Sequence, residues 1–172
     1  MTDAFNTCLP IILIEEGGFS NDALDPGGVT NLGVTKAVWD RWTNHTSTIA
    51  DMRALTPALV APLYQAQYWQ AAACDKLPQA LALCVFDFAV NGGVGRASRY
   101  LQRMAGATDD GQIGPGTLAA VQQFVTAHGI PGTVDAYQNA RIGFYRSLST
   151  FDHFGKGWLN RVEFIRTKAK GL

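Results

Sequence analysis

Residues 16–35 read EGGFSNDALDPGGVTNLGVT, a cluster of glycines and turn residues that follows an apolar stretch. On their N-terminal side Phe5, Leu9, Ile12 and Leu13 recur at helical spacing behind Asp3, a residue type that caps helices well. Gly17-Gly18 offers the left-handed exit at which such a helix stops. Pro10 falls inside it and marks either the first turn of a shorter helix or a kink. Asp25-Pro26-Gly27-Gly28 is dense turn chemistry. Residues 29–34 have the composition of a short strand, so the segment predicts a small β hairpin behind the first helix.

Two carboxylates and a hydroxyl fall within this segment. Glu16 closes the helix, Asp25 follows nine residues later and Thr30 five after that. A helix end followed by a hairpin that folds back can set two carboxylates across a cleft. Breaking a glycosidic bond needs that division of labour: one protonated carboxyl gives its proton to the leaving oxygen, and one ionised carboxylate activates water or attacks the sugar. Their environments must therefore differ. The negative end of a helix favours a protonated carboxyl in a dry site, which makes Glu16 the candidate acid. Turn amides favour an ionised carboxylate, which suits Asp25, and the Thr30 hydroxyl is suited to holding a water. The competing reading is structural: a Glu before two glycines is also an ordinary surface feature, and Asp-Pro-Gly-Gly an ordinary turn.

Helix signals dominate downstream. Thr35 caps a helix through Trp42, and Thr56-Pro57 opens one through Trp69 with Pro62 inside it. Pro78 opens another, with Leu81, Val85, Phe88 and Ala89 on one face, ending at Asn91-Gly92-Gly93. A further helix covers residues 96–104. Gly114-Pro115 starts one to about His128, Thr133 caps one to about Leu148, and the last spans residues 156–168. No low-complexity linker and no repeat interrupts the chain. The expected fold class is mainly α with one small hairpin, and the candidate boundary within it is the loop from Gly106 to Gly114, or else the Gly92-Gly93 break.

Composition sets the limits of that reading. A chain of 172 residues, 47% hydrophobic and 16% charged, buries a real core and is globular rather than disordered. The apolar run 8–14 is interrupted by Pro10 and too short to span a membrane. It also lacks the basic start and small-residue cleavage site of a secretory signal, so the expected location is cytoplasmic until release to the periplasm or wall. Cys8, Cys74 and Cys84 are odd in number and form no Cys-x-x-Cys pair, which reads as buried thiols. His45, His128 and His153 match no metal-ligand spacing. Net charge is zero but unevenly spread: residues 1–90 carry 4 Lys and Arg against 9 Asp and Glu, or −5, and residues 91–172 carry 10 against 5, or +5. The basic half can face a polyanion such as cell wall, nucleic acid or anionic lipid, or simply solvate helix faces.

Residues 16–35 resemble the opening motif of the glycoside hydrolase 108 muramidases, in which Glu-Gly-Gly-Tyr leads into Asp-x-Gly-Gly-x-Thr and the glutamate is catalytic. Glu16 matches that glutamate. Phe19 stands where the family usually has Tyr, and Ala23 where proline is common. The spacing is also similar to that of the phage-type lysozymes, which follow a Glu, Asp, Thr order. By that analogy Asp25 and Thr30 position the attacking water and the anomeric carbon is inverted. Tyr68-Trp69 resembles the family's Tyr-Trp pair, and FDFAVNGG at 86–93 its Asp-Phe-Ala-Val-Asn-Ser-Gly stretch. GWLNRV at 157–162 resembles its closing motif, and DGQIGPGTL at 110–118 is similar to the Asp-Gly-x-x-Gly-Pro-x-Thr-Leu signature of peptidoglycan-binding modules.

The resemblance implies a lysozyme-like catalytic region over residues 1–90 and a helical peptidoglycan-binding-like region over residues 91–172, packed without a flexible linker. It implies hydrolysis of the β-1,4 bond between N-acetylmuramic acid and N-acetylglucosamine, as in a lytic endolysin, without cofactor or metal. Glu16, Asp25 and Thr30 are then the catalytic residues, and Tyr68, Trp69 and Asn91 bind substrate. The structural alternative makes Tyr68 and Trp69 core aromatics and Asn91 a helix cap. The expected partner is the peptidoglycan glycan strand, for a monomer with no nucleic-acid partner and no membrane span. One rival is a non-catalytic wall-binding or phage structural protein. Another is a cysteine–histidine amidase or peptidase, which needs a cysteine at a helix start near a histidine.

Overall fold

A computed structural model of the protein describes residues 3–21 and 28–172. The chain forms two compact units, Asp3–Ala66 and Gln67–Leu172. In the first, α1 spans Asp3–Glu16 and buries Phe5, Cys8, Leu9 and Ile12, one stripe at helical spacing. Pro10 lies on the exposed side and the helix runs through it. Residues 29–34 are not one strand. Two short strands, β1 (Thr30–Asn31) and β2 (Val34–Thr35), pair antiparallel around Leu32-Gly33, with Thr30 opposite Thr35. Both turn residues have positive φ, 50° and 72°, as the type I′ turn of a two-residue hairpin requires. An isolated bridge joins Ser20 to Thr30, each amide donating to the other's carbonyl at 2.9 Å.

Three short helices complete this unit. Thr35 caps α2 (Lys36–Thr43), as expected. A helix not anticipated from periodicity, α3 (Ile49–Arg53), is too short to show any; a Thr48–Asp51 capping box holds its start. Buried Asn31 donates to the Met52 carbonyl at 2.9 Å and ties the hairpin to that helix. Thr56 and Pro57 open α4 (Pro57–Tyr64), followed by a π-helical stretch, Gln65–Gln70, so the expected single helix to Trp69 changes pitch partway.

Asp40 joins α2 to the loop after it: its carboxylate accepts from Lys36 at 2.5 Å and from the Ser47 amide at 2.8 Å. The Lys36 bond first, then the Ser47 amide, lower its pKa from 3.8 to about 2. A carboxyl depressed on folding stabilises the fold above its unfolded value and loses that contribution as pH falls through the folded one. The melting-temperature advantage of wild type over Asp40→Asn is therefore expected at neutral pH and should shrink between pH 3.8 and about 2. A pH-independent difference would mean that the ionised form contributes nothing.

The second unit is built around α5 (Gln79–Gly92), in which every residue from Ala80 to Ala89 is buried. A helix buried all round must be wrapped, and α6 (Val94–Ala105), α7 (Pro115–Arg146) and α8 (Phe151–Lys170) pack on it. The two helices expected over residues 115–148 join at a kink at Gly129, whose φ of 69° and ψ of 169° suit only glycine. Thr133 is inside the second segment, its hydroxyl donating back to the Gly129 carbonyl at 2.8 Å, rather than at its cap.

Asp87 sits in the middle of α5, fully buried, and binds two arginines: Arg141 Nη1 at 2.5 Å and Arg161 Nη2 at 2.7 Å. Burial opposes the Arg141 charge, but Asp87 and Tyr145 outweigh it, so its pKa is raised. Its guanidinium also lies over the Phe88 ring at 4.9 Å. One ion cluster thus pins α5, α7 and α8 together. No membrane-length apolar helix occurs among the described residues.

Candidate active site

Glu16 is the last residue of α1, and its carboxylate comes to rest on the tip of the hairpin. A side chain at Gly33 would place its Cβ 2.6 Å from Glu16 Oε2, 2.9 Å from Glu16 Cβ and 2.6 Å from the Tyr64 hydroxyl. Such contacts are closer than carbon tolerates. Gly33 is therefore required twice, for its positive φ and for the empty space that seats the glutamate. Tyr64, at the end of α4 and 1% exposed, donates its hydroxyl to the Leu32 carbonyl at 2.8 Å. That bond holds a non-glycine residue in the left-handed region, where few side chains settle. Helix end, turn and tyrosine thus converge on one half-buried carboxylate.

Thr30 belongs to the same hairpin but to its open end, paired with Thr35 and bridged to Ser20. Asp25 lies outside the described residues. Phe19, just after the α1 exit, lies under the Arg53 guanidinium at 4.2 Å. Glu16 and Thr30 are thus both attached to this hairpin. Tyr64 and Gly33 were not singled out from sequence. Gly33 was legible as a turn glycine, whereas Tyr64 acts on residues about thirty positions upstream and leaves no local signal.

The remaining expected site residues lie in the second unit. Trp69 is in its core, 1% exposed and edge-on to Phe86 with ring centroids 5.4 Å apart. Tyr68 is half-buried in the π-helical stretch. Asn91 is exposed near the end of α5, and its amide oxygen accepts from the Tyr145 hydroxyl at 2.5 Å. That hydroxyl in turn accepts from Arg141 Nε at 3.0 Å. Arginine can only donate, so the tyrosine proton goes to Asn91 and the Asn91 NH₂ is turned away from the cluster.

The segment 110–118 is organised by Gln102, 1% exposed. Its amide nitrogen donates to Asp110 Oδ1 at 2.7 Å, to the Gln112 carbonyl at 3.0 Å and to Thr117 Oγ1 at 3.1 Å. Its amide oxygen accepts from the Gly111 amide at 2.8 Å. The Gln112 amide and then Gln102 lower the Asp110 pKa. Asp110 and Thr117 thus have structural work in this turn.

All three cysteines are buried and none is in a disulfide. Burial pushes the Cys8 thiol up to about 12, the opposite of what a nucleophilic thiolate needs. Among the described residues, no group of three His, Cys, Asp or Glu is placed to hold a metal ion.

The family model described as glycosyl hydrolase 108 matches residues 9–93, and that described as predicted peptidoglycan domain matches residues 96–163. No curated protein matches. Among solved structures, that of Brucella abortus SagA superposes with a TM-score of 0.82 at 35% identity, covering 97% of this chain and 94% of that one.

Proposed function

This chain belongs to the glycosyl hydrolase 108 family and is a peptidoglycan-related glycosidase, and we propose that it is a muramidase in which Glu16 is the general acid. The observation that carries the proposal is the seating of the Glu16 carboxylate on Gly33 beside the Tyr64 hydroxyl. A carboxyl held by three separate elements is fixed in direction, and a proton donor must be aimed at its acceptor. In the reaction we propose, Glu16 gives its proton to the glycosidic oxygen as the bond from C1 of N-acetylmuramic acid to O4 of N-acetylglucosamine breaks. A water attacks C1 from the opposite face, steadied by Thr30, and loses its proton to Asp25. The products are a free 4-hydroxyl and an inverted, α-configured reducing end.

Proton NMR of the first-formed reducing ends tests this stereochemistry. An α-configured N-acetylmuramic acid is expected. A β-configured first product would overturn the inverting mechanism, and a fully active Asp25→Asn enzyme would remove Asp25 as base.

The seat makes its own prediction. In Gly33→Ala the new methyl displaces Glu16 or Tyr64, and turnover should fall by about a hundredfold, the scale of general acid catalysis. Tyr64→Phe removes only the hydroxyl that clamps Leu32, at a stability cost of about 1 kcal/mol. It should lower kcat with KM nearly unchanged, because what is lost is aim rather than binding. A Gly33→Ala enzyme with normal kcat would show that the seat has no part in catalysis.

A further inference from the structure

We propose that the second unit binds the anionic stem peptides of peptidoglycan, and that the binding site is a pocket walled by Arg96, Arg99 and Arg103. This inference rests on the peptidoglycan reading above and specifies which chemical part of the polymer is held. The pocket, of about 460 Å³, lies where α5 gives way to α6, and Tyr100, Phe144 and Gly93 also line it. The arginines recur at spacings of three and four along α6, so one helix face presents all three guanidinium groups.

Their partners decide what they can bind. Among the described residues Arg96 donates once, to the Gly92 carbonyl at 2.6 Å, and lies over the Phe144 ring at 4.6 Å. Arg103 pairs with Asp109 at 2.5 Å and lies over the Tyr100 ring at 5.3 Å. Arg99 is exposed and makes no hydrogen bond or ion pair among the described residues; its charge acts on Asp109 and Asp110 from a distance. A guanidinium presents five donors in a planar fork that matches a carboxylate. These three commit only a few of theirs, and two are oriented by the rings beneath them.

The same contacts argue against a sugar as the main ligand. Sugars use aromatic faces, and arginines already occupy faces of both rings in this pocket. A long phosphate polymer needs an open basic track, whereas Asp109 ends this one at Arg103. At the other end the pocket meets bare backbone: among the described residues, nothing beyond the adjoining chain lies within 4 Å of where a Cβ would stand at Gly93 or Gly95. An extended peptide can approach there and place its carboxylates against Arg96 and Arg99. In peptidoglycan the peptides carry the ionised carboxylates and the sugar rings do not.

Calorimetric titration of the full-length protein tests the assignment. The probes are a stem tetrapeptide, the same peptide with its carboxylates amidated, an uncharged N-acetylglucosamine tetramer and inorganic phosphate. The tetrapeptide should bind, added salt should weaken it, and neither the amidated peptide nor the tetramer should compete. Arg99→Glu should weaken it by about tenfold or more, the scale of one lost charge-assisted pair. Arg99 is exposed, so the variant should keep its fold, and Arg96→Gln should weaken binding in the same direction. Undiminished binding by a folded Arg99→Glu, equal binding of the amidated peptide, or displacement by phosphate at equal concentration would overturn the proposal. Cleavage of peptidoglycan is measured in parallel. A protein that cleaves but does not bind the tetrapeptide refutes the pocket alone, and one that binds it without cleaving refutes the muramidase reading alone.

Discussion

Glu16→Gln is expected to reduce peptidoglycan hydrolysis by at least about a hundredfold while leaving the fold intact, the loss typical of a general acid that can no longer donate. The substitution is nearly isosteric, so the amide still fits the space above Gly33 beside the Tyr64 hydroxyl. What changes is the ability to deliver a proton to the leaving oxygen. Glu16 ends α1 in a half-buried position rather than in the core, so the melting temperature should move little. The expected signature is a fall in kcat and kcat/KM together with KM unchanged, as for an interaction made only in the transition state. Near-normal turnover by the folded variant would remove Glu16 from the mechanism and return the structural reading of the Glu-Gly-Gly motif.

The largest stability effect is expected at Asp87. Removing one partner of a buried ion pair costs about 3–5 kcal/mol, because the remaining charge is left uncompensated. Asp87→Ala leaves such a charge on Arg141, which is fully buried, and takes a carboxylate away from Arg161. Among the described residues Arg141 Nη2 already lacks a hydrogen-bond partner, so the guanidinium is satisfied only in part even in the wild type. Denaturant melting should place the loss within that range. Asp87→Asn keeps the shape and one acceptor oxygen but not the charge, and should fall between Asp87→Ala and wild type. A loss below about 1 kcal/mol for Asp87→Ala would place the pair in the class of solvated surface bridges instead. Because the Tyr145 hydroxyl links Arg141 to Asn91, the same variant should loosen the Asn91 amide.

These two residues differ in how visible they are in the sequence. Glu16 sits in a local motif: helix stop, turn cluster and hairpin all fall within twenty residues, and each has its own residue signature. The helix starts at Thr35 and Thr56-Pro57, and the break at Gly92-Gly93, were legible for the same reason. The role of Asp87 was not, because its partners are 54 and 74 residues away and side-chain pairing across helices leaves no periodic trace. Nor was the clamp from Tyr64 to Leu32, a contact across 32 residues. The hairpin was partly hidden because Leu32, which is not a usual turn residue, adopts positive φ. At Gly129 the glycine signal was present, and it marks the kink at which two helical segments join.

The central claim, that this glycosidase cuts on the N-acetylmuramic acid side of the glycan with Glu16 as proton donor, is tested most directly by the chemistry of the new chain ends. Peptidoglycan digested with wild type and with Glu16→Gln is reduced with borohydride, and the fragments are identified by mass. Muramitol ends are expected with wild type and none above background with Glu16→Gln. Glucosaminitol ends, or released peptides with intact glycan, would contradict the claim, as would muramitol ends from the variant at the wild-type rate.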